Sequence, residues 1–366
     1  MWPCYEMFTN NTIRTSLQGF GQDGQYKGDM AAGYFQQKYE SGYNEFAYQT
    51  VASVASGNGW DFKSFIRRVN IMLSHIDNSS MTEAQKDHWR AVGYFFILFG
   101  IWIDRSFWRC AWVDQVLQED SPEAYGPRVD RKTVADKVLE RLQWAEQNIG
   151  NFTSQDGDNT INQDCVRAVI SRFGLREGTW RKYHELGDAE KYLQECVRAS
   201  ELLMAAYPTL YTGTDGQPGA GYGEMWTTED LGQVPGIILY KSYVKDINPM
   251  GMSYIEHTSS HYVEMNQNTV DLYLMKNGKP ILADGSGYHG NKDMYAVFRD
   301  RDPRLYHTVI PPYKVKSGKG DYPTCRIQTI RQTVNILILW EQMKVAVTRV
   351  WYETFAWAEL ECITCT

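Results

Sequence analysis

Two stretches carry the glycine spacing of a dinucleotide-binding turn, Gly19-x-Gly21-x-x-Gly24 and Gly285-x-Gly287-x-x-Gly290. Such a turn cradles a pyrophosphate only where it joins a strand to a helix N-terminus, with an acid about 20 residues further on. No strand precedes the first. After the second, Asn291 onward opens no helix, and no later strand ends in a suitably placed acid. In a chain with 30 glycines both read as flexible loops. His257 and His261 would share a face if their segment were helical, and could then hold a metal. Their neighbours Met252-Ser253-Tyr254 and Thr258-Ser259-Ser260 favour a loop, so the pair reads as polar lining of a cleft. Cys362-x-x-Cys365 has no second pair, whereas a closed zinc site needs four ligands. No cofactor and no metal are expected. P-loop, G-x-S-x-G and H-E-x-x-H patterns are absent from the sequence, and no residue is assigned a catalytic role. A carboxylate pair for glycoside chemistry stays open, because such pairs are neighbours in space and not in sequence.

The aromatic residues offer a different chemistry. There are 24 Tyr and 12 Trp against 14 Phe, and a buried Tyr hydroxyl or Trp N–H must find a partner. The excess points to clefts lined by rings with one apolar face and one polar edge. From Tyr211 to Pro323 the chain is dense in Gly, Tyr, Asn, Asp and Pro and reads as long loops with a few short strands. Asp300-Arg301-Asp302-Pro303-Arg304-Leu305-Tyr306 is the most distinctive string there; its Asp-Pro turn and two arginines are suited to anchoring a loop. A formal net charge of −7, with only short basic clusters, argues against a nucleic-acid partner. Seven cysteines at wide spacing define no disulfide framework. The longest apolar stretch, Ala91 to Ile103, is shorter than the ~20 residues a membrane-spanning helix needs, so it is expected to be a buried helix.

These side chains must be positioned by helices. At roughly 150 residues per domain, the 366 residues make about two domains' worth of chain. Phe62, Phe65, Ile66, Val69, Met72, Leu73 and Ile76 fall on one stripe of a helix from Trp60. Thr82 and Gln85 form a capping box for a second helix, running to about Phe107. A third covers about Arg131 to Ile149, a fourth Asp164 to Tyr183 and a fifth Ala189 to Ala206, with Pro208 as the stop. Between the last two, His184-Glu185-Leu186-Gly187-Asp188 is a tight turn, with Gly187 at the left-handed cap. Its flank through Leu193 resembles the centre of a tetratricopeptide (TPR) repeat, and Ala189, Leu193, Cys196, Val197 and Leu203 suit helix-on-helix stacking. The expected organisation is a loop-rich segment 1–59 with one or two short helices, TPR-like helices over 60–207, an irregular ligand-binding part with a few short strands over 208–332, and a helical tail over 333–366. The fold class is mainly α.

Several strings together resemble the SusD/RagB family. Phe65-Ile66-Arg67-Arg68-Val69-Asn70, Met81-Thr82-Glu83-Ala84-Gln85 and Trp89-Arg90-Ala91-x-x-Tyr94-Phe95-Phe96 are similar to its opening helix pair. Val113-Asp114 to Leu117 and Asp120 to Arg128 are similar to the loop that follows. Ala168 to Arg172 with Glu177 to His184 is similar to the next repeat, and Val270-Asp271-x-Tyr273, Asn277-Gly278 and Arg301 to Leu305 to the middle segment. The likeness spans about residues 60 to 310. It implies a lipid-anchored outer-membrane protein of Bacteroidetes that captures a glycan or other nutrient without catalysis, with Trp60, Trp226, Tyr254 and Tyr288 as the candidate ligand-binding rings, carried by context and not by motif. It also implies delivery of that ligand to a TonB-dependent, SusC-like transporter. The chain departs from the pattern after Arg105-Ser106-Phe107, where Trp108-Arg109-Cys110-Ala111 replaces a Gly-Asp-Val/Ile-Pro turn. It has no lipobox, so membrane association would need an anchor absent from this sequence, and both ends read as truncated or altered. A glycan-cleaving enzyme on a helical scaffold and a TPR scaffold that binds only protein are the competing readings.

Overall fold

In a computed structural model of the chain, residues 4–5, 34–37, 63–103, 112–127, 129–150, 159–214, 216, 219–228, 230–240, 242 and 263–309 are described. Strand β1 (Phe35–Gln37) precedes five long helices, α1 (Lys63–Ile76), α2 (Glu83–Ile103), α3 (Arg131–Asn148), α4 (Gln163–Tyr183) and α5 (Ala189–Ala206). Shorter elements follow: α6 (Ala220–Thr227), β2 (Val263–Met265), α7 (Gln267–Leu272), α8 (Met294–Phe298) and α9 (Pro303–Thr308). The mainly helical class expected from the periodicity is the class observed.

The helix starts follow the polar residues that satisfy free backbone donors. Thr82 N–H donates to Gln85 Oε1 at 3.0 Å and Gln85 N–H to Thr82 Oγ1 at 3.4 Å, the reciprocal capping box of α2. Asp130 accepts from Thr133 N–H at α3, and Asn162 from Cys165 N–H at α4. Packing follows the apolar stripes. Ala91, Val92, Phe95, Phe96, Ile97 and Leu98 of α2 are buried against Val134, Ala135, Val138, Leu139 and Leu142 of α3, within one continuous core. Gly93 lets α1 approach α2, since a Cβ there would meet Leu73 Cδ2 at 2.8 Å. The α4–α5 contact is closer still: a Cβ on Gly174 would lie 2.5 Å from Tyr192 O, and one on Gly178 would lie 2.6 Å from Leu193 Cγ. Buried charges tie the stack together. Glu177 meets Arg131 at 2.6 Å and Arg181 at 2.9 Å, while Glu146 bridges Arg167 and Arg198.

Three details differ from the sequence reading. The left-handed C-cap of α4 is Glu185 (φ 51), not Gly187: Glu185 N–H donates to Lys182 O and Leu186 N–H to Arg181 O, a Schellman pattern. Gly187 (φ 73) and Asp188 (φ 57) are left-handed too, as the chain reverses before α5. Val197 is 50% exposed, because the face of α5 that meets Gly174 and Gly178 is set by Tyr192, Leu193 and Cys196, and one further residue turns outward. The region after Pro208 holds short helices more than strands; Asp293, accepting from Ala296 N–H, starts α8 where the sequence suggested none. Its strand pairing is β2 with β1, antiparallel, Phe35 opposite Met265.

This later region is joined to the stack in one well-defined place. Ile238 and Leu239 enter the helical core, and Asn159 brackets Tyr240, its Nδ2 donating to Tyr240 O and its Oδ1 accepting Tyr240 N–H. Beyond it, Val297, Phe298 and Leu305 form a separate small core with Val270, Tyr273 and Tyr306 around them. Arg301, 1% exposed, donates to Val297 O, Val270 O and Tyr273 O and so stitches this unit together. Arg304 closes on Asp302, the α9 N-cap. Both arginines do what the sequence suggested, anchoring the loop.

Candidate functional site

A cleft of about 610 Å³ opens where α1, α2 and α3 meet the segment after α2. Its walls include Asn70, Ser74 and His75 of α1, Arg90 and Tyr94 of α2, Asp114 to Val116 and Gln118 of the connecting segment, and Arg141 of α3. Helical periodicity aims these groups. Arg90 and Tyr94 are one turn apart where α2 passes from its polar first half to its apolar second half, and Lys137, Arg141 and Trp144 recur at similar spacing on α3.

The connecting segment is held rigidly by α1. Arg67 Nη1 donates to Leu117 O at 2.6 Å, and Asn70 Nδ2 to Val113 O at 3.2 Å and Gln115 O at 3.0 Å. Asn70 Oδ1 is buried and has no partner among the described residues. The segment delivers Trp112 and Asp114 to the cleft mouth, where Trp112 Nε1 donates to Asp114 Oδ2 at 3.0 Å and Arg141 Nη2 to the same oxygen at 2.8 Å. The Arg141 guanidinium packs 4.9 Å from the Trp112 ring centroid and 5.0 Å from that of Tyr94. Tyr94 in turn meets Trp144 edge-on at 5.3 Å, and Lys137 covers Trp112 at 5.1 Å. Desolvation pulls the Asp114 carboxyl upward, but the Trp112 hydrogen bond and the Arg141 charge outweigh it and hold it below the usual carboxylate range. Arg90 is paired with Asp77 and Asp87.

Chemically this is a recognition surface. Half-buried rings offer flat apolar faces, and a fixed acid and guanidinium beside them offer an acceptor and several donors. Side-chain exposures of 41% for Asp114 and 24% for Arg141 leave both reachable from solvent. Among the described residues Arg141 makes one hydrogen bond, to Asp114, so most of its five N–H groups are left for a ligand.

Of the four rings chosen from the sequence, Tyr288 is half-buried, stands 5.4 Å from the Arg301 guanidinium and belongs to the small second unit, not to this cleft. Trp226 lies on α6. Trp60 and Tyr254 lie outside the described residues, as do His257, His261, Gly19 to Gly24, Cys362 and Cys365. Gly285, Gly287 and Gly290 all have positive φ in a turn-rich loop, in keeping with their reading as loop residues. No cluster of His, Cys, Asp and Glu able to hold a metal occurs among the described residues. Four separate elements supply the cleft residues, so no local spacing in the sequence brings them together.

The model of the SusD family matches residues 240–349. The fold is similar to that of a SusD-like protein from Bacteroides fragilis NCTC 9343, with a TM-score of 0.51 and 16% identity over 69% of this chain and 49% of that one. Over residues 240–349 the chain resembles the SusD family, and its fold is SusD-like. A SusD-like carbohydrate binding protein from the same organism gives a TM-score of 0.47 at 17% identity, covering 68% of this chain and 45% of its own. A laminarin binding SusD-like protein gives 0.38 at 17% identity, covering 52% and 38%. The chain thus spans half or less of the length of these SusD-like structures. Among curated proteins none matches the chain. The matched segment covers Arg301 to Leu305, which the sequence had already marked as family-like.

Proposed function

We propose that this SusD-like chain captures an oligosaccharide in the cleft between α1, α2, α3 and the 112–118 segment, without cleaving it. The observation that carries this reading is the Arg141 guanidinium packed against Tyr94 and Trp112 and anchored by Asp114. Sugars present both a C–H face and equatorial hydroxyls. Aromatic faces cover the first, while a carboxylate with a neighbouring guanidinium accepts from and donates to the second. In this reading residues 60–207 form the frame and 208–332 a second, irregular part. Trp60, Trp226, Tyr254 and Tyr288 are proposed as additional contacts for a ligand long enough to leave the cleft. The resemblance to the SusD family further supports attachment to the outer membrane through a lipid and delivery to a SusC-like TonB-dependent transporter. Among the described residues no helix is long and apolar enough to cross a membrane.

Calorimetry of the full chain against a panel of oligosaccharides, with product analysis of the same mixtures, tests the proposal. Binding without new reducing ends is expected. New reducing ends would make the chain an enzyme, and no binding to any member of the panel would favour a scaffold that recognises protein alone.

A further inference from the structure

The segment that walls the cleft continues past Gln118 into a short 3-10 turn, Pro122–Ala124, and ends on an aromatic ring in water. Tyr125 is 78% exposed, an unfavourable setting for so large an apolar surface. It is nevertheless fixed. Its hydroxyl donates to Glu119 O at 2.6 Å, and its backbone N–H donates to Pro122 O at 3.1 Å. Two further bonds brace the turn: Gln118 N–H donates to Ser121 Oγ at 2.8 Å, and Gln115 Nε2 to Glu123 Oε1 at 2.8 Å. Gln115 and Gln118 are themselves cleft-lining residues. The place of the ring then follows from chain geometry. Glu119 is the next residue after Gln118, with consecutive Cα atoms about 3.8 Å apart, so the Tyr125 hydroxyl sits at the lip of the cleft and the ring stands just outside it. A ring tethered at its polar tip keeps its faces bare and its orientation set, and little conformational freedom remains to be lost on stacking.

Resting on the carbohydrate reading above, we propose that Tyr125 is an outer stacking subsite of this cleft. The ligand is then a chain of several sugar units, gripped inside by Tyr94, Asp114 and Arg141, with Trp112 bracing Asp114, and outside by Tyr125. Charge supports a neutral oligosaccharide over an anionic one. Arg141 faces Asp114, Arg90 is compensated by Asp77 and Asp87, and Glu119, Asp120 and Glu123 flank the outer ring.

The test is calorimetry on the full chain with neutral gluco-oligosaccharide ladders, β-1,3-linked and α-1,4-linked, from the disaccharide upward. Wild type, Tyr125→Ala, Tyr125→Phe and Trp112→Ala are compared, with circular dichroism to confirm folding. Wild-type affinity is expected to rise with length. Tyr125→Ala should lower affinity for the longest ligand by about five- to tenfold while leaving the shortest bound within about twofold; Tyr125→Phe, which keeps the ring and loses the tether, should fall between. If Tyr125→Ala binds every length as wild type does while Trp112→Ala loses affinity throughout, the outer subsite is wrong and the cleft stands. If the wild type binds neither ladder nor any member of the wider panel, the carbohydrate reading and the subsite fall together.

Discussion

A carboxylate that stays charged while half covered by rings needs partners, and Asp114 has two, the Trp112 indole N–H and the Arg141 guanidinium. These partners make the residue directional: one of its oxygens is committed to the cleft wall, and the other can accept from a ligand hydroxyl. Trp112→Ala and Arg141→Ala are therefore each expected to weaken oligosaccharide binding by at least about 1 kcal/mol without unfolding the protein, as read by calorimetry and circular dichroism. Acid should act in a definite direction. The Asp114 pKa is depressed in the folded protein below its ordinary 3.8, so its pairing with Arg141 is intact above that value and is lost as pH falls through the folded pKa. Affinity should stay level from neutral pH down to the upper edge of the ordinary carboxylate range and drop only below it. A loss of affinity already complete well above that range would count against Asp114 as the controlling group.

At the scale of elements, the stack depends on how closely α4 and α5 approach. Gly174 and Gly178 lie one turn apart and receive the backbone of Tyr192 and the side chain of Leu193. A methyl group at Gly174 has no room beside a rigid carbonyl, so Gly174→Ala should destabilise the fold by about 1–3 kcal/mol, visible as a lower midpoint in thermal or urea unfolding. Glu185→Gly should do the opposite. The left-handed cap of α4 carries an ordinary side chain at φ 51, and glycine there should raise stability by up to about 1 kcal/mol by relieving the Cβ clash. An unchanged or lower midpoint in Glu185→Gly would mean that the cap does not limit this turn.

At the scale of the whole molecule, apolar cores of unequal size share one chain among the described residues: a large one, a small one and a further cluster at Met225, Leu231 and Val234. The large one is filled by α1 to α5, and the small one is centred on Val297, Phe298 and Leu305. What keeps the small one intact is a buried arginine whose charge faces three backbone carbonyls and the Tyr288 ring. Arg301→Lys would leave some of these carbonyls without a donor, because an ammonium cannot reproduce the planar fork of a guanidinium. Residues 263–309 should then become sensitive to limited proteolysis while the helical circular dichroism of the stack is kept. Full loss of the helical signal would show instead that the two cores fold as one unit.

The amino-acid pattern alone determined the five long helices and the capping box of the second, because apolar stripes and the pair Thr82 with Gln85 act within a few residues of one another. It also marked Arg301 and Arg304 as loop anchors and carried the family likeness. The cleft was decided only by tertiary structure. Arg90, Trp112, Asp114 and Arg141 become a site when α3 folds back against α2 and Asn70 pins the segment between them, and no local spacing encodes that meeting. The same holds for Val197 and Glu185: which face of α5 turns inward and which residue takes the left-handed cap depend on how tightly two helices close. That closeness is set by what a missing Cβ at Gly174 and Gly178 allows the partner helix to do.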